Sequence, residues 1–232
     1  MAILSTGDEM VEPGEALAPG KIYDSNAVAL AGAVRLAGAE PLVLPIARDA
    51  REALLRRVDD GLRADLLVSS AGVSMGDRDL VRSALSELGV EQVFWKIDMK
   101  PGHPTAFGVR GATPVVCLPG NPVSALVGFD QLVRPALRKM MGHRALFRPS
   151  ARATLLDAVA RRAGRTQFVS VRLERQGAGL AAWCAGGLET WMLSSLLRAD
   201  GLAVIPPEWG AVAPGTAVEV QVLRPGFDAP VE

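Results

Sequence analysis

Only two histidines, His103 and His143, and two cysteines, Cys117 and Cys184, occur in 232 residues. That scarcity leaves no zinc-ligand spacing, no C-x-x-C and no disulfide framework. A serine hydrolase is disfavoured too, because Ser124 lacks the G-x-S-x-G frame and only those two histidines could serve as its base. Neither a G-x-x-x-x-G-K-[ST] phosphate loop nor a G-x-G-x-x-G fingerprint follows the first apolar run. An excess of one charge is missing as well: Lys+Arg 25 stands against Asp+Glu 25, so no net field favours nucleic acid or an anionic membrane. No apolar stretch reaches the ~18 residues that a bilayer span requires; the longest candidate, 27–39, carries Arg35 and Gly38 and reads as a buried helix. No basic region or cleavage site precedes Ala2, and a reducing cytoplasm is the expected compartment. Aromatics are sparse at 5%, and Trp183, Trp191 and Trp209 are expected in core or interface burial rather than base stacking.

What is present is alternation. Through about residue 142, short β-branched runs at 2–5, 42–46, 66–69, 93–97 and 115–118 alternate with helical patterns. That order is the signature of a parallel sheet with crossover helices. Asp24-Ser25 can cap a helix ending at Gly38, and Asp49 can cap one over 50–62. Asp77 or Asp79 opens another that Gly89 stops, and Pro122 opens a long helix that Pro135 should kink. Beyond Gly142 the runs 151–156, 168–174, 180–184, 203–205 and 217–223 are strand-like and separated by Gly and Pro. The expectation is a three-layer, doubly wound, mostly parallel α/β domain over 1–144 and a small β-barrel-like domain over 145–232, joined near 144–149.

In such sheets ligands bind beyond the carboxyl ends of the strands. The predicted ends carry Thr6-Gly7-Asp8-Glu9, Arg48-Asp49, Ser70 followed by Gly72, Ser74, Gly76, Asp77 and Asp79, then Lys100-Pro101-Gly102-His103, and Gly120-Asn121-Pro122 with Ser124. Glycine turns and helix amino termini favour an anion. Glu9, Asp49 and Asp79 are hard oxygen donors suited to Mg²⁺, and Lys100 offers a point charge to an oxyanion. Taken singly, each has a bland reading: Asp49, Asp77 and Asp79 as caps, and Thr-Gly-Asp-Glu and Pro-Gly-Asn-Pro as turns. Five such segments on one rim make a metal-assisted phosphoryl or oxyanion site the stronger reading.

These segments, in this order, resemble the molybdopterin molybdenumtransferase family, which includes the corresponding half of gephyrin. The resemblance rests on Ser5–Met10, Ile22-Tyr23-Asp24-Ser25-Asn26, Ser70–Asp79, Lys100-Pro101-Gly102 and Leu118–Ala125, and more weakly on Gly164-Arg165 with Phe168 and on 194–205. It implies insertion of molybdenum from molybdate into adenylylated molybdopterin, with release of AMP and with Mg²⁺ as the ion. On that analogy Glu9, Asp49 and Asp79 are the functional acids and metal ligands. Thr6, Gly7, Asp8, Ser70, Gly72, Ser74, Gly76, Asp77, Lys100, Gly102, Gly120, Asn121 and Ser124 would hold the substrates.

The family further implies a homodimer, possible contact with other cofactor-biosynthesis proteins, and two amino-terminal domains to which nothing here corresponds. A chain without them is expected to be either the catalytic-side portion of the enzyme or a non-catalytic binding module or scaffold. Two positions depart from the family pattern: Ala71 replaces a glycine, and His103 replaces the second lysine of Lys-Pro-Gly-Lys-Pro.

Overall fold

A computed structural model describes residues 1–71, 80–177, 179–186, 191–224 and 226–227. The chain divides into two compact units, one of residues 1–97 and 102–146 and the other of 98–101 and 147–232. In chain order the first part runs β1 (Ala2–Ser5), β2 (Met10–Val11), β3 (Ile22–Tyr23), α1 (Ser25–Leu36), β4 (Leu42–Val43), α2 (Arg51–Gly61), β5 (Leu67–Ser70), α3 (Leu80–Glu87) and β6 (Glu91–Phe94). There follow β7 (Met99–Lys100), β8 (Ala106–Arg110), β9 (Thr113–Leu118), α4 (Pro122–Gly128), a π-helical turn (Phe129–Val133) and α5 (Arg134–Met140).

The first unit is built on a sheet in the order β4-β1-β5-β9-β8-β6. β4, β1, β5 and β9 are parallel, whereas β8 runs antiparallel to both β9 and β6. One layer packs Leu30 and Val34 of α1 and Ala125, Phe129 and Leu137 of the last helical stretch on Ile3, Val68 and Leu118. The other packs Leu54 and Val58 of α2 and Val81 and Leu85 of α3 on Leu4, Leu67 and Cys117. β1 and β5 point alternate side chains into the two layers, which is why both strands are apolar on both faces until their last residues. Each fully buried aliphatic side chain here contributes about 1.5–3 kcal/mol.

The expected three-layer arrangement is present, and local elements differ where long-range partners override local pattern. Residues 93–97 do not form a further parallel strand: 91–94 pairs antiparallel with β8 as the sheet's edge. The kink expected at Pro135 takes the form of the π turn just ahead of it, where Arg134 N–H reaches Phe129 O. Proline offers no N–H to the carbonyl four residues before it, and the widened turn re-pairs the neighbouring groups. The helix after Asp49 starts at Arg51 with Ala50 as its uncapped N-cap. Asp24 caps α1 as expected, its Oδ1 accepting from Ala27 N–H at 3.0 Å.

The second unit contains β10 (Ser150–Leu155), β11 (Thr166–Gln176), β12 (Gly179–Cys184), α6 (Leu193–Leu197), β13 (Gly201–Ile205) and β14 (Thr216–Val222). The order β12-β10-β14-β13-β11 closes on itself through pairing of β11 with β12. The result is a five-stranded barrel around Leu155, Val171, Ala203, Ile205 and Val220. Closure removes the open edges that a five-stranded sheet would otherwise present.

The excursion of 98–101 into this unit has no counterpart in the local sequence pattern: Met99–Lys100 pairs in parallel with Thr166–Gln167 as an added strand, β7. Lys100 therefore belongs to the barrel unit rather than to the loops at the end of the first sheet.

Candidate functional site

The connections define where a ligand fits on the first unit. From β1 the chain crosses through α1 on one face to β4, then returns through α2 on the other face to β5, on the opposite side of β1. Reversal of direction opens a crevice between the carboxyl ends of β1 and β5, the topological switch point of a doubly wound sheet. The amino terminus of α1, the loops after β1, β4 and β9, and Ala71 at the end of β5 share that end.

Two of these loops are bonded directly to each other. Asp8 Oδ1 accepts from Asp49 N–H at 3.1 Å, and Asp49 Oδ2 accepts from Asp8 N–H at 3.3 Å. Thr6 bridges to Ala47 in parallel, and Gly7 N–H donates to Ala47 O at 3.1 Å, so the first two strand ends are locked side by side. This mutual bond explains why Asp49 does not cap α2: its carboxylate is engaged across the rim.

Asp8, Glu9 and Asp49 remain exposed. The Glu9 carboxylate folds back over Gly7, whose φ is +140 and whose added Cβ would lie 2.5 Å from Glu9 Oε2. Only glycine supplies both that backbone conformation and that space. Lys21 Nζ at 2.5 Å and Arg48 Nη1 at 3.3 Å donate to Asp8 O, and Arg48 also reaches Met10 O at 2.8 Å. Their charges lie beside the acids without consuming them. The sequence placed Arg48 on the rim without a role and did not single out Lys21, because the role of each is set by a carbonyl remote in the chain.

At the ends of β5 and β9, Ala71 N–H donates to Leu118 O at 3.1 Å and Ala71 has φ +76. The Cβ of Ala71 lies 3.3 Å from where a Cβ on Gly120 would be. Asn121 precedes Pro122 at the start of α4, and Ser124 in that first turn is 4% exposed. Thr6 and Ser70 are likewise buried, and Gly102 accepts from Thr105 Oγ1 at 2.6 Å. Asn26, which carried no assigned role in the sequence, is buried beneath this rim and bonds Ser70 and Gly120. Gly72, Ser74, Gly76, Asp77 and Asp79 lie outside the described residues.

Among the described residues no group of three His, Cys, Asp or Glu side chains is placed to hold a metal ion. The donor set nevertheless suits Mg²⁺, which takes one or two protein carboxylates and keeps several waters. Asp8 and Asp49 each commit a single carboxylate oxygen to their mutual bonds.

A different cluster occupies the second unit. Lys100, Arg161, Arg162, Ala163, Gly164, Arg165 and Gln167 line a cleft of about 830 Å³. Arg161 braces it, donating to Ile205 O at 3.1 Å, Pro206 O at 3.0 Å and Arg165 O at 2.5 Å. Arg165 stands 3.9 Å from Asp98 in an exposed pair, so its guanidinium stays available to an anion. Lys100 was foreseen as an oxyanion ligand. The arginines around it were not, because only the pairing of β7 with β11 brings them to it.

Comparison with known proteins now bears on this geometry. The sequence profile described as Probable molybdopterin binding domain matches residues 2–139. The chain belongs to this molybdopterin-binding family. A second profile, described as MoeA C-terminal region (domain IV), matches residues 152–223, the barrel. The molybdopterin molybdenumtransferase 2 of Mycobacterium tuberculosis is 39% identical over 228 residues, covering 94% of this chain and 55% of that protein. The molybdopterin molybdenumtransferase of Haemophilus influenzae is 34% identical over 95% of this chain and 55% of its own length.

Among solved structures, the molybdopterin biosynthesis MoeA protein of Pyrococcus horikoshii superposes with a TM-score of 0.82 at 34% identity, covering 96% of this chain and 54% of that one. The chain thus spans about half the length of the relatives that it matches. No helix among the described residues is long and apolar enough to cross a membrane.

Proposed function

We propose that the chain is the catalytic-side portion of a molybdenum insertase, acting on adenylylated molybdopterin and molybdate. The observation that carries the proposal is the mutual Asp8–Asp49 bond, which brings two acid-bearing loops together beside the switch crevice of a molybdopterin-binding fold. In the reaction, water breaks the phosphoanhydride and AMP leaves. The two dithiolene sulfurs replace oxygen on molybdate, and the thiol protons depart with the displaced oxygen as water.

Glu9, Asp49 and Asp79 would hold Mg²⁺, which when bound supplies positive charge to the phosphoanhydride oxygens. The chain's own groups bind and orient. Thr6, Gly7, Asp8 and Ser70 would contact the substrate at the end of the sheet, and Gly72, Ser74, Gly76 and Asp77 are assigned to the same role from the sequence pattern alone. Gly120, Asn121 and Ser124 lie at the amino terminus of α4, the end of the helix whose dipole favours an anion, and Gly102 belongs to the same unit. Separately, in the cleft of the second unit, Lys100 and Arg165 offer charge-assisted hydrogen bonds to an oxyanion such as phosphate or molybdate. The reading extends to a cytoplasmic homodimer, as in the family that the sequence resembles.

The test supplies the amino-terminal half of a relative together with this chain and measures molybdate-dependent AMP release. Asp49→Ala and Asp79→Ala should each reduce release at least a hundredfold, and unchanged release would remove the roles assigned to them. Molybdopterin binding without AMP formation by the unaltered chain in the same assay would reduce the proposal to a binding module.

A further inference from the structure

We infer that Asn26 is a positioning residue: its buried carboxamide ties the end of β5 to the turn between β9 and α4, and so sets the geometry of the crevice. The inference rests on the proposed molybdopterin site and deepens it. Asn26 occupies the first turn of α1 and is 3% exposed, on the face otherwise formed by Ala27, Leu30, Ala31 and Val34. Its Nδ2 donates both hydrogens, one to Ser70 Oγ at 2.7 Å and one to Gly120 O at 2.7 Å. A backbone carbonyl can only accept, so the bond to Gly120 fixes which way the amide points.

The partners are 44 and 94 residues away in sequence. Both lie where a loop of the proposed site begins. Between them the chains touch once more through Ala71 N–H and Leu118 O, so the junction is a two-point clamp around the left-handed Ala71.

Stability alone does not account for this residue. Asn26 Oδ1 is buried without a hydrogen-bond partner, and so is the Oγ of Ser5, the register neighbour of Ser70 on β1. An orphaned buried acceptor is a net cost to folding, whereas an apolar side chain of similar size at this position would simply join the α1 layer. The amide does what leucine cannot: it holds two loop origins at a fixed separation. Displacement of a site by about 1 Å is enough to reduce a reaction on the order of a hundredfold.

The experiment compares the unaltered full chain with Asn26→Leu and with Asn26→Asp, which keeps the shape and suits a helix amino terminus but cannot donate to Gly120. Amide hydrogen exchange is read at Ala71 and, as a fold control, at Ile3 and Leu4 of β1. Molybdopterin affinity is measured in parallel and normalised to the folded fraction.

The clamp predicts exchange at Ala71 at least tenfold faster in both variants, with β1 unaltered, and molybdopterin Kd raised at least tenfold. A purely structural role would lower the folded fraction yet leave the affinity of folded molecules unchanged, and that result overturns the inference. Should Asn26→Leu fail to fold, the same two readouts on Asn26→Asp decide between clamp and filler. If the unaltered chain does not bind molybdopterin, the function reading fails instead. Asn26 is then judged on Ala71 exchange alone: acceleration sustains the clamp and unchanged exchange refutes it.

Discussion

Replacing Ala71 with glycine should stabilise the first unit, although it deletes a side-chain carbon at a packed junction. Ala71 is the only non-glycine residue with positive φ among those described, at +76. The left-handed region costs an L-residue about 1–2 kcal/mol through the clash of Cβ with the following carbonyl. Glycine removes that strain but loses about 0.4–1 kcal/mol through the greater freedom of its unfolded chain. The net expectation for Ala71→Gly is a gain of about 0.5–1 kcal/mol, or a Tm rise of roughly 1–4 °C for a domain of this size. In urea the midpoint should rise with the slope unchanged.

A second substitution probes the same junction from its other side. A Cβ on Gly120 would approach Ala71 Cβ to 3.3 Å but Ala71 Cα only to 3.7 Å. Gly120→Ala should therefore cost about 1 kcal/mol in the natural background, as mild overpacking does, and clearly less when residue 71 is glycine. The cycle isolates that pairwise contact. A midpoint that fails to rise in Ala71→Gly, or an equal cost of Gly120→Ala in both backgrounds, would refute the assigned backbone conformation and contact.

Gly7→Ala places a Cβ into the space held by the Glu9 carboxylate and forces φ +140 on an L-residue. Because the obstructing atoms end a flexible side chain, Glu9 should swing away, with about 1–3 kcal/mol of lost stability and weaker Mg²⁺ binding by calorimetry. Arg165→Gln removes one charge-assisted donor from the barrel cleft and should weaken molybdate or inorganic phosphate binding about 10–100-fold, while the unfolding midpoint stays within error. The Cys184 thiol is pushed above its ordinary range by burial and then by the neighbouring Asp157 carboxylate. Its alkylation should lag a free thiol at pH 8, and Asp157→Asn should speed it. The sign for folding follows: this contribution is complete below the unfolded thiol's pKa and is lost as pH rises through the higher folded value.

Local chemistry in the sequence determined a good deal of this protein. Alternating apolar runs and helical stripes specified the layered α/β unit and the strand-rich remainder, Asp24 marked the start of α1, and Gly38, with φ +94, marked its end. These signals act within a few residues, where side-chain type biases the backbone directly. The shared rim was legible as well, since parallel strands must place their carboxyl-end loops together.

Which atoms meet, on that rim and in the barrel cleft, was not legible. Asp49 leaves its helix to bond Asp8, Asn26 links Ser70 to Gly120, and Lys100 pairs beside the barrel's arginines because β7 adds to β11. The antiparallel edge of β6 and β8 was likewise chosen by packing. Each of these depends on hydrogen-bonding groups distant in sequence becoming satisfied together once the chain is compact, and only the tertiary structure can decide that.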